Sequence, residues 1–302
     1  MRYDVRPQRM SITSYEGCHM KTKLVSRHVC VALLLAAFSS AVLAQSAPAT
    51  KEKPFEPTVG QDGKDVVWVP TSQALVNKML DLAKLTPNDY LMDLGSGDGR
   101  TVITAAKRGA RATGVEYNPK MVELSKRNAQ KEGVGEKAQF INGDIFQTDF
   151  SQATVITLFL LPELNLKLRP KILDMKPGTR VVSNSFTMGD WQADRTQNAS
   201  EKEGCTAYCT AYLWIVPAKV EGKWKLPEGE LVLKQTFQNV TGSLNKGDQT
   251  TAEVSKGVVL GDEITFTAGG AQYTGKVSGD TINGTVKGGA NAGSFTANRV
   301  GG

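Results

Sequence analysis

Four carboxylates and three glycines carry the chemistry that can be read from this chain. Asp93 precedes the run Gly95-Ser96-Gly97-Asp98-Gly99. Glycines let a backbone turn sharply and approach a ligand closely, because they carry no Cβ and tolerate positive φ. In an alternating β/α chain, such a loop between strand and helix is where nucleotide-like ligands bind. A dinucleotide loop reads G-x-G-x-x-G; here the spacing is G-x-G-x-G, and Arg100 stands where the third glycine would be. Asp93 and Asp98 flank the loop. Two carboxylates beside a pyrophosphate would repel it by about 1–4 kcal/mol per close pair. They suit a ligand that carries an ammonium and a sulfonium. Glu116, with Tyr117 after it, ends the next apolar segment, where a carboxylate can accept hydrogen bonds from a ribose diol. Asp144 ends the one after that, placed to accept from an adenine amine, with Ile145 able to pack on the ring face. Each acid alone also reads as a solvated strand-end residue. At successive strand ends behind a glycine loop, they point to S-adenosylmethionine (SAM).

The elements that must position these residues follow from periodicity. Tyr90–Leu94 is a short apolar strand that feeds the loop, and a helix opens at Arg100-Thr101. Before them, Thr71 or Ser72 can cap a helix running to about Leu85, with Val76, Met79, Leu80 and Ala83 on one face. After them come strand two (Ala112–Glu116), a helix from Asn118-Pro119 to about Glu132, and strand three (Ala138–Asn142). Thr154–Leu160 is apolar throughout, as the centre of a parallel sheet requires. Pro162–Asp174 is a helix that Pro170 is expected to kink or split, and Thr179–Ser185 is strand five. Alternation at this spacing predicts an α/β chain with a Rossmann-like, doubly wound sheet. Gln192–Gly204 is polar and irregular, and Ala211–Val216 with Gly222–Leu226 read as paired antiparallel strands. From Glu228 helical periodicity gives way to alternation rich in Gly and Thr, which predicts a small antiparallel all-β C-terminal domain or partial barrel. The domains are therefore placed at 1–44 (targeting), 45–63 (linker), 64–227 (α/β) and 228–302 (β-rich).

The 302 residues are 40% hydrophobic, enough for a substantial core. The formal charge of +6 is concentrated at the start. Residues 1–44 hold six Lys/Arg and two acids; the remainder carries 30 basic and 28 acidic residues, a net +2. No nucleic-acid-binding surface is expected from that balance. Lys21, Lys23 and Arg27 precede the apolar run Val29–Phe38, and small residues follow before Gln45. This is the pattern of a secretory signal peptide, with Met20 as a plausible start, and the run is shorter than the ~20 residues of a spanning helix. Export to the periplasm or outside the cell is expected, a mitochondrial address being the rival reading. After removal of the segment no transmembrane span is expected. His19 and His28 both lie in it, so neither Ser-His-Asp chemistry nor a histidine metal site is expected in the mature chain, and no metal is assigned. Cys205 and Cys209 remain. On an extended strand their Cα atoms would lie about 13 Å apart, so a disulfide requires a turn between them; free buried thiols are the alternative.

With these features the chain resembles the seven-strand SAM-dependent methyltransferases over about Val66–Trp224. The blocks VPTSQALVNKML, DLGSGDGR, LLPELNLKLRPKI and PGTRVVSNSFTMGDW resemble a subgroup of mitochondrial protein-lysine methyltransferases and their bacterial relatives. Many members carry His after VVS, where this chain has Asn184. The resemblance implies SAM as cofactor, bound by Asp93, Gly95, Ser96, Gly97, Asp98, Gly99, Glu116, Tyr117, Asp144 and Ile145, and a protein lysine as acceptor.

A sulfonium methyl is already activated, so the enzyme's task is to align and desolvate the acceptor. Leu161–Asn165 leaves strand four, and Glu163 or Asn165 could orient an amine; helix capping is the competing reading for both. Phe186 and Trp191 could wall an acceptor channel or pack in the core. Two other functions stay open: an exported protein that binds SAM or a nucleoside-like ligand without turnover, and a small-molecule methyltransferase. The β-rich tail is expected to meet an envelope component.

Overall fold

A computed structural model describes residues 53–301, apart from 228, 248, 290 and 291. The targeting segment 1–44 and the first part of the 45–63 linker lie outside the described residues. Residues from Lys53 onward form one compact unit.

Helix α1 (Gln73–Leu82) starts at Ser72, whose side chain accepts from the Leu75 amide, and buries Leu75, Val76, Met79 and Leu80. It ends three residues before the expected Leu85. Strand β1 (Tyr90–Leu94), helix α2 (Arg100–Lys107), β2 (Arg111–Glu116), α3 (Pro119–Lys131) and β3 (Ala138–Asn142) follow in alternation. Asn118 caps α3 by accepting from the Lys120 amide, and Pro119 opens it, where its missing N–H is no loss. Strand β4 (Val155–Leu158) is buried at every residue. Helix α4 (Pro162–Leu173) is continuous through Pro170, against the expectation of a break. Pro170 sits in the last turn, so little helix remains beyond it to be disrupted.

Strand β5 (Arg180–Asn184) is followed by β6 (Arg195–Asn198) and β7 (Thr210–Ile215). The seven strands run in the order β3-β2-β1-β4-β5-β7-β6. All neighbours from β3 to β5 are parallel, whereas β7 pairs antiparallel with both β5 and β6. The strand order reverses between β1 and β4, and ligands bind beyond the carboxyl ends of strands at such a switch point.

Two expectations are corrected here. The polar stretch Gln192–Gly204 contains strand β6, which lies at the sheet edge and so needs no apolar alternation. Ala211–Val216 and Gly222–Leu226 do not pair with each other. The latter is β8, the first strand of a closed antiparallel barrel with β9 (Gly229–Thr236), β10 (Asn239–Lys246), β11 (Gln249–Leu260), β12 (Glu263–Ala268), β13 (Ala271–Ser278), β14 (Thr281–Lys287) and β15 (Gly293–Arg299). The barrel thus begins before the change in composition at Glu228. It closes where Lys225 and Trp224 of β8 meet Asn298 and Arg299 of β15. Side chains fill its interior: β13 alternates buried and exposed at every position, and Phe266 stacks on Tyr273 with ring centroids 4.7 Å apart. Trp191 is fully buried and stacks on Phe237 of the β9–β10 turn at 5.9 Å. It therefore packs the barrel against the sheet and walls no channel.

Candidate SAM site

The loop after β1 is built from its three glycines. Gly95, Gly97 and Gly99 have φ of 86°, 55° and 82°, in the left-handed region that L side chains resist. Space is restricted as well. A Cβ on Gly97 would fall 2.7 Å from Trp68 Nε1, and one on Gly99 would fall 2.8 Å from the Phe140 ring. Ser125 of α3 donates to the Gly97 carbonyl at 2.9 Å, and Asn128 donates to the Asp98 carbonyl at 3.0 Å. The loop is held from below and covered by an indole from above.

The acids differ sharply in environment. Asp93 is 7% exposed and accepts from Thr157 Oγ1 at 2.6 Å. Burial pushes its pKa up to about 7; the Thr157 bond opposes this, and the nearby charges of Asp98 and Glu116 add to it. Glu116 accepts from the Gly97 amide at 3.0 Å and from the Asn118 amide at 2.9 Å. Both contacts fix its orientation, and each oxygen keeps a second lone pair for a ligand hydroxyl. Asp144 accepts from Lys64 Nζ at 2.7 Å and from the Phe146 amide at 2.8 Å. The Lys64 bond, then the Phe146 amide, hold its carboxyl below the usual range.

Asp98 corrects the expectation of two free carboxylates flanking the loop. Arg100 grips it with Nε at 3.0 Å and Nη2 at 2.6 Å, and its Nη1 donates to the Thr71 carbonyl at 2.7 Å. The Asp98 charge is therefore answered within the protein, and Asp93 is left as the carboxylate for a cationic ligand group. Arg100, which stands out in the sequence only as a missing glycine, is the residue that does this. Thr71 does not cap α1; its hydroxyl accepts from Asn184 Nδ2 at 3.2 Å. Asn184 is fully buried and serves to anchor the start of α1.

One cavity is lined by Asp93, Gly95, Ser96, Gly97, Asp98, Glu116, Tyr117, Asp144 and Ile145, so these cofactor candidates converge. Gly99 is not among its lining residues; it turns the chain into α2. The same cavity is lined by Gln61–Thr71, a segment that composition divides between linker and domain. This strap folds on itself through the Gly60 amide to the Trp68 carbonyl and the Trp68 amide to the Gln61 carbonyl, both at 2.9 Å. Lys64 pins it to Asp144 and lies 4.9 Å from the Tyr117 ring. The apolar run Val66–Val69 was the available signal, although nothing local says that it returns over a loop thirty residues onward.

Glu163 and Asn165 do not reach the site. Glu163 is exposed in the first turn of α4, and Asn165 is fully buried, its Nδ2 directed at Ser183 Oγ (3.5 Å) and the carbonyls of Phe186 (3.4 Å) and Thr187 (3.3 Å). Neither lines the cavity, so the acceptor-orienting role is withdrawn from both. Asn165 instead ties α4 to the end of β5. The cavity wall there is made by Phe159, Leu160, Leu161, Leu164, Phe186 and Tyr208.

The residues present fit SAM. Glu116 suits a ribose diol, Asp144 with Ile145 suits an adenine, and buried Asp93 suits the cationic methionine end. Ser96 Oγ is buried with no partner among the described residues, a polar atom on the cavity wall available to a ligand.

Comparison with known proteins agrees. The family profile described as ANTKMT methyltransferase domain matches residues 93–195. A protein-lysine N-methyltransferase of Saccharolobus islandicus is 40% identical over 154 residues, which are 50% of this chain and 94% of that protein. The adenine nucleotide translocase lysine N-methyltransferase of Mus musculus is 33% identical over 129 residues, 42% of this chain and 56% of that protein. A solved structure titled as an RNA methyltransferase from Salinibacter ruber, in complex with S-adenosyl-L-homocysteine, is 45% identical, with a TM-score of 0.47, covering 50% of this chain and 96% of its own. The barrel β8–β15 lies beyond the family match. With a relative of 40% identity spanned almost from end to end, the chain belongs to the ANTKMT family of SAM-dependent methyltransferases.

Proposed function

We propose that this methyltransferase acts on a lysine amine of a protein substrate, and that it does so after export. The observation that carries the acceptor is the match to the Saccharolobus islandicus protein-lysine N-methyltransferase over 94% of its length. The cavity is consistent with it. Bound SAM supplies a methyl group on a sulfonium that is already activated. What remains for the protein is to hold an amine, exclude water and favour its neutral form, since a lysine in water has a pKa near ~10.4. Leu160 and Leu164, with the rings of Phe159 and Phe186, give the cavity an apolar wall that disfavours an ammonium by desolvation. Asp93, Glu116 and Asp144 hold the cofactor end, and Arg100 keeps the Asp98 charge from competing for it.

Export is supported by the n-region, apolar run and small residues of positions 21–44. It is also supported by a disulfide between Cys205 and Cys209, whose Cα atoms lie 5.8 Å apart across a turn. No described helix is long and apolar enough to cross a membrane. The barrel adds a surface that the family match lacks, and with its interior filled, contact with an envelope component falls to its outer face.

Incubation of the purified protein with labelled SAM and envelope fractions, followed by mass spectrometry of labelled peptides, tests the acceptor. Methyl-lysine is the expected product, and label confined to RNA, to small molecules or to other side chains would sink the reading. N-terminal sequencing of protein recovered outside the cytosol tests export. An uncleaved chain found only in the cytosol would overturn it.

A further inference from the structure

A side chain that lines a cavity and is also well exposed lies at the cavity's mouth. Among the described residues, ten large apolar or aromatic side chains are exposed, and four of them, Val67, Tyr117, Leu161 and Tyr208, line the SAM cavity. Single exposed apolar side chains are ordinary on a protein surface, whereas several gathered around one opening mark an interaction site. Asp93, Glu116 and Asp144 stand at the ends of β1, β2 and β3 and take the cofactor, so the ends of β4 and β5 are left for the acceptor. On that side the lining is Leu158–Leu161, Leu164, Phe186 and Tyr208, and none of these carries a charge. Burial alternates as the chain leaves β4: Leu158 and Leu160 are buried, Phe159 is half-buried and Leu161 is 42% exposed. The Leu161 carbonyl accepts from the Leu164 and Asn165 amides at 3.0 and 3.1 Å, so its main chain is held by the first turn of α4 while its side chain faces water. Tyr208, 47% exposed, stands on the same uncharged side.

An apolar wall disfavours an ammonium only where water is kept out, and at Leu161 and Tyr208 the protein leaves the cavity open. A polypeptide that delivers a lysine to this end of the cavity passes over that rim, and the residues beside its lysine are the ones that reach it. A bulky apolar neighbour buries Leu161 and shields the amine from water in one step. A charged or polar neighbour loses hydration there and finds no partner to replace it. We propose that the rim formed by Leu161 and Tyr208 selects lysines with bulky apolar residues next to them in the substrate chain, and that this flank closes the cavity during transfer. This rests on the lysine-acceptor reading above and adds the sequence context of the acceptor to it. Leu161 is thus a specificity-determining contact, which touches the flank of the substrate and not the reacting atoms.

The test gives the intact protein labelled SAM and two synthetic peptides that differ only beside their single lysine, with leucine on both sides in one and serine in the other. The leucine-flanked peptide is expected to show a kcat/KM about tenfold higher. Its kcat is also expected to reach a plateau at lower pH, because the better-sealed amine loses its proton more readily. Leu161→Ser is expected to bring the ratio of the two kcat/KM values close to one and to merge the two pH profiles, and Leu161→Met to restore both differences. S-adenosylhomocysteine affinity, measured first in each variant by calorimetry, reports an intact fold. Equal use of the two peptides by the parent protein, or a ratio that survives Leu161→Ser, would overturn the proposal. So would an unchanged ratio together with a dimer that Leu161→Ser dissociates, which gives the rim to a second copy, or together with vesicle binding that Leu161→Ser abolishes, which gives it to lipid. Methyl-lysine on envelope proteins with no label on either peptide overturns it as well, since the local sequence then carries no recognition. Label confined to acceptors other than lysine sinks the reading on which it rests.

Discussion

Thr157 of β4 donates its hydroxyl to the Asp93 carboxylate of β1 at 2.6 Å, across the point where the strand order reverses. Asp93 is buried, and its pKa is pushed up to about 7 by burial first and by the charges of Asp98 and Glu116. Its folded pKa therefore lies above its unfolded value of 3.8. Between these values the native state binds the extra proton, so this group's contribution to stability falls as pH rises from about 4 to about 7. Asp93→Asn is expected to raise the melting temperature at pH 8 relative to the parent, with a smaller difference at pH 4.5. Equal shifts at both pH values would contradict it.

The same carboxylate must be ionised to hold a cationic methionine end. SAM affinity, measured by calorimetry, is expected to rise several-fold from pH 6 to pH 8 and to lose that slope in Asp93→Asn. Thr157→Val removes the opposing hydrogen bond. It is expected to move the inflection to higher pH and to lower stability by about 1–3 kcal/mol, the range for a buried polar group left unpaired.

Glu116 joins the glycine loop to the start of α3 through the Gly97 and Asn118 amides. Glu116→Ala is expected to weaken SAM binding by about 10- to 100-fold, the loss of one to two charge-assisted hydrogen bonds. Circular dichroism should remain that of the parent. Unchanged affinity would remove Glu116 from the site.

Asn165 and Glu163 separate an architectural role from a catalytic one. Asn165→Ala empties a buried amide from the α4–β5 junction and is expected to destabilise by about 1–3 kcal/mol in urea unfolding, with SAM affinity held. Glu163→Ala, at an exposed position, should change stability by less than about 0.5 kcal/mol. A large fall in turnover for Glu163→Ala, without loss of stability, would return it to the chemistry.

The disulfide closes a ring of five residues. Chain-entropy arithmetic gives about 2 kcal/mol for a loop of that size. The double variant Cys205→Ser with Cys209→Ser is expected to lose about that much stability in denaturant unfolding. No loss would mean that the turn holds its shape without the bond.

Much of the cofactor half was legible from residue types and spacing alone. The loop and its acids sit at the ends of β1, β2 and β3, and strand ends are marked locally by the switch from apolar runs to Gly, Asp and Glu. Parallel pairing then carries those ends to one edge. The acceptor half was misread for a related reason. Glu163 and Asn165 follow β4 directly, but a helix starts at Pro162, and helical rotation points Asn165 into the core and Glu163 to solvent. Strand β6 escaped notice because an edge strand lined by polar residues carries no alternation to read.

The amino-acid order by itself determined the βα alternation, the left-handed glycine turns and the acid at each strand end, since these depend on residues within one turn or one strand of each other. The tertiary structure decided which charges are free and which are spent. Arg100 takes Asp98, Lys64 reaches Asp144 across 80 residues, and Trp68 lies over Gly97. It also brought Phe159, Phe186 and Tyr208 onto one wall. Such contacts form only when chain closure brings distant segments together, and no local propensity records where a long side chain will find its partner.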